Sequence, residues 1–243
     1  MTWGSFGLVH ILSLLVSAGI IVGLYFLLKN RSDRVQTIVL GVLSFSGIAA
    51  IIFNLVAWGS PLEYLPFHLC SLSAMVLPFA VFTKSKVLNN LLLLWGLGAL
   101  LALVVNTAQA NYEIFSLTFA FYYFPHTLEF GLAILMFLLG RVRLDVKCVP
   151  TTLGITFGVY TLIHLINVWL NAYCLEHNIV DYAGNVIRVN YMYSIEPTNP
   201  VLDLIFTGPY WYMFLTIPFI LLYLGCIYSK QIWSAIKNRK KEK

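Results

Sequence analysis

The chain has 243 residues, of which 60% are hydrophobic and 10% are charged, and its formal net charge is +5 at pH 7. Its mean hydropathy is +0.83, whereas soluble domains are about 45–50% apolar and about 25% charged. This composition excludes a water-soluble enzyme, a nucleic-acid binder and a disulfide scaffold. It predicts a protein that lies in a lipid bilayer and has no nucleic-acid partner.

Seven segments are long and apolar enough to span a bilayer, which requires about 20 apolar residues for each helix. We therefore predict an all-α, polytopic membrane protein built as a bundle of seven transmembrane helices. The segments are 6–28, 36–58, 64–82, 87–105, 114–140, 148–171 and 207–228.

The positive charges predict how the bundle is oriented, because Lys and Arg accumulate in short cytoplasmic loops. Among the 15 basic residues, Arg188 alone falls on the opposite side from the others when the seven segments alternate. The N-terminus is therefore predicted outside and the C-terminus inside. The first segment is expected to be a retained helix, since no basic stretch precedes it.

Residues 1–243 are expected to form a single membrane domain with one long outer loop and a basic tail. The loop, at about 172–206, is expected to cap the outer face, and a small hairpin is predicted around Ala183 and Gly184. The tail, at 229–243, is interpreted mainly as an orientation anchor. Attraction to anionic lipid, at about 1 kcal/mol per basic residue, is the alternative.

Polar side chains recur at a similar depth in the outer halves of the predicted spans. Each one alone is more often a helix-to-helix hydrogen-bonding partner. A shared depth favours function, because ionisable groups in hydrocarbon are expensive. We therefore expect these side chains to line one outward-facing cavity. They are His10, Asn54, His68, Cys70, Asn106, His126, Glu129, His164 and Asn167.

Two pairs within this layer suggest thiol chemistry. If Pro66 keeps the chain extended, His68 and Cys70 point to one side, and a neighbouring His activates a thiol. His126 and Glu129 are three residues apart and share a helix face, so that Glu129 would orient His126 as a base. The alternatives are an inert buried thiol and a buried pair that neutralises itself.

Metal binding is the competing chemistry. Several histidines and a carboxylate would suit zinc, but the histidines show no i, i+4 spacing within one helix and no HExxH motif occurs. We therefore expect no metal and no cofactor, and a metal-dependent lipid hydrolase remains an alternative.

Several motifs resemble the YwaF-like family of bacterial seven-span proteins. They are Leu65-Pro66-Phe67-His68-Leu69-Cys70-Ser71-Leu72, Phe124-Pro125-His126, Asn190-Tyr191-Met192-Tyr193 and Gly208-Pro209-Tyr210-Trp211-Tyr212. They are also distantly similar to animal transmembrane acyltransferases that remodel ether phospholipids. That resemblance implies acyl transfer by a cysteine nucleophile, which would be Cys70.

The resulting hypothesis is a lipid acyltransferase or lipid-remodelling thiol enzyme in the bacterial plasma membrane. Cys70 would attack a phospholipid ester with His126 or His68 as its base. A small-solute transporter or ligand-binding protein that uses the same polar layer is the alternative. The side chains assigned to substrate binding are His10, Asn54, His164, Asn167, Asn190 and Tyr191.

Overall fold

The structure, a computed structural model, describes every residue except 1, 2, 5, 59, 106–111, 198–202, 205 and 240–243. The protein is all-α and 73% helical, and the described residues contain no β-strand. The described residues include three short 3-10 segments, at Val146–Cys148, Tyr191–Tyr193 and Trp211–Thr216. The α-helices are α1 (Leu8–Leu28), α2 (Asp33–Ser44), α3 (Ser46–Ala57), α4 (Leu69–Thr83), α5 (Lys86–Val104), α6 (Leu117–Leu138), α7 (Val149–Glu176), α8 (Ile217–Ile227) and α9 (Ser229–Arg239).

Five helical segments of the described chain are long and apolar enough to cross a membrane. They are α1, α2 with α3, α5, α6, and α7 with the 3-10 turn before it. A sixth is counted if the pair Trp211–Ile227 and Ser229–Asn238, bent by 74°, forms one span. Helix α4 has 15 residues, or roughly 22 Å at 1.5 Å per residue, which is shorter than a hydrocarbon core of about 30 Å.

Each of the seven predicted segments contains helix, but several boundaries differ from the prediction. The second segment breaks at Phe45, where the Ser44 hydroxyl donates to the Gly41 carbonyl at 2.6 Å and so competes with the helical ladder. Helix α7 continues to Glu176, so the predicted outer loop begins inside a helix. The predicted hairpin is a turn with a single antiparallel bridge between Val180 and Val186.

Three of the helices have a serine as their N-cap residue. Ser32, Ser85 and Ser116 each accept a hydrogen bond from the backbone N–H three residues later, which satisfies a donor in the first turn of α2, α5 and α6. Helix α4 ends at Lys84, which adopts the left-handed conformation with φ of 52°. This conformation is typical of helix C-termini and lets the chain turn directly into α5.

Helix α6 lies at the centre of the bundle and contacts α1, α2, α3, α4 and α5. The apolar core around it includes Leu40, Leu77, Leu132, Leu135 and Met136, all of which are fully or almost fully buried. Large apolar side chains on the outer surfaces of α1, α3 and α7 are instead exposed. Exposed apolar surface on the periphery of a bundle is what a lipid environment requires.

Charged side chains meet at the end of the bundle where α2, α4 and α6 join their loops. Asp33 accepts from Lys84 at 2.7 Å and from Arg141 at 3.0 Å. Lys86 donates to Asp145 at 2.9 Å, and this hydrogen bond lowers the pKa of Asp145. These pairs place three loops on one side, which we call the basic end; the opposite end, with residues 177–197, is the cap end.

Substitution of Gly47 by alanine is expected to lower thermal stability, because α3 approaches its neighbours closely there. An added Cβ would lie 2.4 Å from Ala74 Cβ and 2.9 Å from Glu129 Oε1. Overpacking of this kind costs about 1–3 kcal/mol, which would appear as a lower melting temperature in detergent. Gly19→Ala is the control, since nothing lies within 4 Å of its Cβ. If both variants and the native protein had the same melting temperature, the helix contact at Gly47 would not be tight.

Candidate functional site

A cavity of about 80 Å³ lies between α3, α4 and α6. It contains four of the side chains that the sequence analysis singled out: Asn54, Cys70, His126 and Glu129. A volume of this size holds two or three water molecules, at about 30 Å³ each. The other polar side chains in its lining were not predicted from the sequence; they are Trp58, Ser71, Tyr112, Thr118 and Tyr122.

Cys70 is the second residue of α4, so it lies within the first turn of the helix. The residue before the helix, His68, gives no side-chain cap, and the backbone N–H groups of this turn have no partner within the helix. The adjacent residue, Ser71, lines the cavity together with Cys70. A helix N-terminus directs partial positive charge at its first turn, where Cys70 lies.

His126 follows Pro125 on α6, and its Nδ1 lies 2.6 Å from the Tyr122 carbonyl oxygen. Because a carbonyl oxygen only accepts, Nδ1 carries the proton and a neutral His126 has its lone pair at Nε2. The orienting partner of the ring is therefore the backbone of the preceding turn. The structure shows no hydrogen bond between His126 and Glu129 among the described residues, although the sequence analysis expected one.

Glu129 is one turn further along α6 and is only 4% exposed. Its Oε2 is buried and has no hydrogen-bond partner among the described residues. The carboxyl group lies within electrostatic range of both His126 and Cys70. An unpartnered buried oxygen is costly, so Glu129 is a polar group that a ligand or water in the cavity can satisfy.

His68 does not line this cavity. It has extended backbone angles, with φ of −74° and ψ of 153°, as the sequence analysis expected from Pro66. Its ring contacts Tyr191 and Tyr193, and its Nδ1 accepts from the Met192 N–H at 3.4 Å. The side chains of His68 and Cys70 therefore diverge, because the helix begins between them.

A second polar cluster attaches the segment Asn190–Ser194, which we call the cap segment, to α7. Asn167 accepts from the Tyr191 N–H at 3.1 Å and donates to the Tyr191 carbonyl and to the Ser194 hydroxyl, both at 2.8 Å. Ser194 lies 3.1 Å from His164 Nδ1 and is fully buried. His164, Asn167 and Tyr191 thus form a structural network separate from the cavity.

Asn190 stabilises the turn of the cap segment from within. Its side chain donates to the Glu196 carbonyl at 2.6 Å and accepts from the Ile195 N–H at 3.0 Å. The following residues Met192 and Tyr193 have φ of 52° and 54°, in a region that non-glycine residues rarely adopt. The hydrogen bonds from Asn190 and from α7 therefore hold a strained turn in place.

The cap end has a second, exposed turn at Asp181. The Asp181 carboxylate accepts from the N–H groups of Asn185 and Ala183 at 2.9 and 2.8 Å, and these bonds lower its pKa. Gly184, with φ of +82°, provides the left-handed residue that the turn requires. These hydrogen bonds all lie within the turn, so its structure does not depend on Asn167.

His10 lies away from the cavity, and both of its ring nitrogens are occupied. Nδ1 accepts from the Phe6 N–H at 3.2 Å, and Nε2 therefore carries the proton that it donates to the Leu103 carbonyl at 2.7 Å. The side chain is completely buried, and the ring packs edge-on against Trp3. Its contacts join the N-terminal segment to α5. Asn106, predicted in the same layer, lies outside the described residues.

Potential metal ligands are not grouped in the described part of the chain. No three His, Cys, Asp or Glu side chains there are arranged to hold an ion. The described cysteines, Cys70, Cys148, Cys174 and Cys226, are all free. The cavity lining presents a thiol, an imidazole and a carboxyl group.

A family model for the TMEM164 family matches residues 5–228, which is nearly the whole chain. The chain belongs to the TMEM164 family. This is a transmembrane protein family, and together with the apolar helices it establishes a multi-pass membrane protein. No curated protein and no solved structure matches the chain. The narrower resemblances of this TMEM164-family chain to YwaF-like proteins and to acyltransferases stay predictions.

Replacement of Asn167 by alanine is expected to loosen the cap segment. It removes the acceptor of the buried Tyr191 N–H, and an unsatisfied buried donor costs about 1–3 kcal/mol. Amide hydrogen exchange at Tyr191 should accelerate by about 5- to 150-fold at these energies. Exchange at Ala183 and Asn185 is the internal control and should not change. Unaltered exchange at Tyr191 would show that Asn167 does not hold the segment.

Proposed function

We propose that this TMEM164-family protein is a membrane-embedded, cysteine-dependent lipid acyltransferase that works from the outer leaflet of the bacterial plasma membrane. The observation that carries the proposal is that Cys70 and His126 line one cavity. A hydrogen bond to the Tyr122 carbonyl places the proton of a neutral His126 on Nδ1 and its lone pair on Nε2, where it can take a proton. A cavity of about 80 Å³ receives an ester group, while the acyl chains and headgroup of the phospholipid lie outside it.

In the first half of the reaction, His126 Nε2 takes the proton of the Cys70 thiol, and the thiolate attacks the carbonyl carbon of a phospholipid ester. A C–S bond forms, and the carbonyl oxygen takes the negative charge. When the C–O bond breaks, the leaving alkoxide receives the proton from His126. The products are a thioester on Cys70 and a lysophospholipid.

In the second half, the hydroxyl group of an acceptor lysolipid gives its proton to His126 and attacks the thioester carbonyl. The C–S bond breaks, the proton returns to the Cys70 sulfur, and a new ester is released. Water in place of the acceptor would give hydrolysis instead. The low polarity of the surrounding helices limits this side reaction.

The first turn of α4 supplies the expected stabilisation of the negative oxygen. Its first backbone N–H groups have no partner within the helix, and the turn carries Cys70 and Ser71, which both line the cavity. Asn54, which lines the same cavity, adds a side-chain donor. Donors fixed in this way are worth a few kcal/mol when a site excludes water.

Glu129 is proposed to offer a polar contact to the substrate or to water in the cavity, because its Oε2 is buried and has no hydrogen-bond partner among the described residues. Its carboxyl group lies within electrostatic range of His126 but is not the group that orients the ring. This role differs from that of a triad carboxylate, which contacts the histidine directly.

Transport through the same polar layer is the competing function, and the packing of the bundle favours the enzyme. The apolar core between the cavity and the basic end includes Leu77, Leu132, Leu135 and Met136, each at most 1% exposed. A transporter needs a path through that region. Purified protein in liposomes separates the two functions, because a transporter moves solute without forming lysolipid.

Replacement of Cys70 by alanine is expected to abolish acyl transfer, and His126→Gln should slow it by about 10²- to 10⁴-fold, the usual contribution of a general acid–base. The measurement is transfer of an isotope-labelled acyl chain from phospholipid to lysophospholipid in proteoliposomes, followed by mass spectrometry. Cys226→Ala is the matched control, because Cys226 is an exposed cysteine away from the cavity.

A variant that melts at the same temperature as the native protein is folded. If the Cys70→Ala variant is folded and still shows full acyl transfer, the thioester route is excluded. A hydroxylamine-sensitive acyl group on Cys70 of the native protein would support that route directly.

We also propose that the chain crosses the membrane seven times, with the N-terminus outside. The salt bridges at the basic end support this arrangement, because they place loops with predicted cytoplasmic charges together.

The orientation can be tested with a membrane-impermeant maleimide on intact cells, using single cysteines in an otherwise cysteine-free chain. Tyr182→Cys, at an 82% exposed position of the cap end, should react from outside. Lys230→Cys should react only after the membrane is permeabilised. The reverse pattern would invert the predicted orientation.

A further inference from the structure

Helix α9 carries an exposed apolar stripe that no part of the described protein covers. Ile232, Trp233 and Ile236 are 39%, 71% and 47% exposed. At 100° per residue these three positions fall within an arc of about 100° on the helix surface. Exposed aliphatic and aromatic side chains grouped on one face of a short helix indicate an interaction surface.

The opposite face of α9 forms hydrogen bonds with the rest of the protein. Gln231 donates to the Leu144 carbonyl at 2.6 Å and accepts from the Val146 N–H at 2.8 Å. Just before the helix, the Tyr228 hydroxyl donates to Asn90 at 2.6 Å. The rotation of α9 about its axis is therefore set by these bonds, and the apolar stripe faces away from the bundle.

The direction of α9 suits the surface of a bilayer. The helix is bent by 74° from the preceding apolar segment Trp211–Ile227. Transmembrane helices tilt by about 20° on average from the bilayer normal, so a helix bent this far runs close to the membrane plane. An amphipathic helix in that plane buries its apolar face at the boundary between headgroups and acyl chains.

The charges beside the stripe favour anionic headgroups. Lys230 and Lys237 flank it on one side at neighbouring angular positions on the helix, and long basic side chains keep their charge at the interface while their stems lie along apolar surface. The sequence continues with Arg239, Lys240, Lys241 and Lys243, and its last seven residues contain a single acidic residue, Glu242.

We propose that α9 is an interfacial helix that binds the anionic phospholipids of the leaflet at the basic end, with its Ile232, Trp233 and Ile236 face in the bilayer. The helix thereby anchors the C-terminal part of the bundle to a leaflet of negative charge. This inference is independent of the proposed acyl transfer, because it uses no residue of the cavity.

Two neighbouring positions on α9 provide the test. Ile236 and Ser234 are both exposed in the structure, but only Ile236 belongs to the stripe. Ile236→Cys and Ser234→Cys are introduced separately into the full-length chain with its native cysteines replaced by alanine. Each protein is reconstituted in nanodiscs, where both membrane faces are open, and its labelling rate with a water-soluble maleimide is measured.

In nanodiscs of phosphatidylcholine mixed with phosphatidylglycerol, Ile236→Cys should react at least tenfold more slowly than Ser234→Cys. In phosphatidylcholine alone, or after Lys230→Gln and Lys237→Gln, this difference should shrink. Thermal melting of each reconstituted variant confirms that it is folded.

Equal labelling of the two positions in the anionic nanodiscs would overturn the proposal. Protection of Ile236→Cys that is the same in both lipid mixtures would refute the role of anionic headgroups. Labelling of the same variants in native membranes is measured in parallel, and protection found there but not in nanodiscs would identify a partner protein as the occupant and would also overturn the proposal.

Discussion

The close approach of α3, α4 and α6 at Gly47 is the constraint on which the candidate site depends. A side chain at this position would meet Ala74 and Glu129, so only a glycine allows the three helices to converge here. Convergence places Cys70 from the start of α4 beside His126 and Glu129 from α6. The cavity exists because three apolar helices pack tightly on one side of a small group of polar side chains.

The polar layer of the bundle performs two different tasks. One group lines the cavity, where Glu129 Oε2 lacks a hydrogen-bond partner among the described residues and polar surface is available for chemistry. The other group, around Asn167 and Ser194, is paired within the protein. Paired polar groups of this kind hold a strained turn in place, whereas an unpartnered one in a cavity is more consistent with binding or catalysis.

The two ends of the bundle also differ in how they contact their surroundings. The cap end is closed by backbone turns that α7 and short polar side chains hold in place. The basic end is held by ion pairs through Asp33 and Asp145, and its last helix turns away from the bundle axis by 74°. A membrane protein with charge on one side and hydrogen-bonded turns on the other presents chemically distinct surfaces to the two leaflets.

Composition and the length of the apolar segments by themselves determined that the chain is an all-α membrane protein, because the bilayer leaves few alternatives for a hydrophobic chain. The distance of each side chain from the end of its predicted helix was also predictable, since the rise per residue is constant. The rotation of each helix about its own axis was not predictable, because it depends on which neighbouring helices pack against which face. Only the tertiary structure therefore separated Cys70 and His126, which line one cavity, from His10, His68 and His164, which lie at similar predicted depth but form hydrogen bonds within the protein.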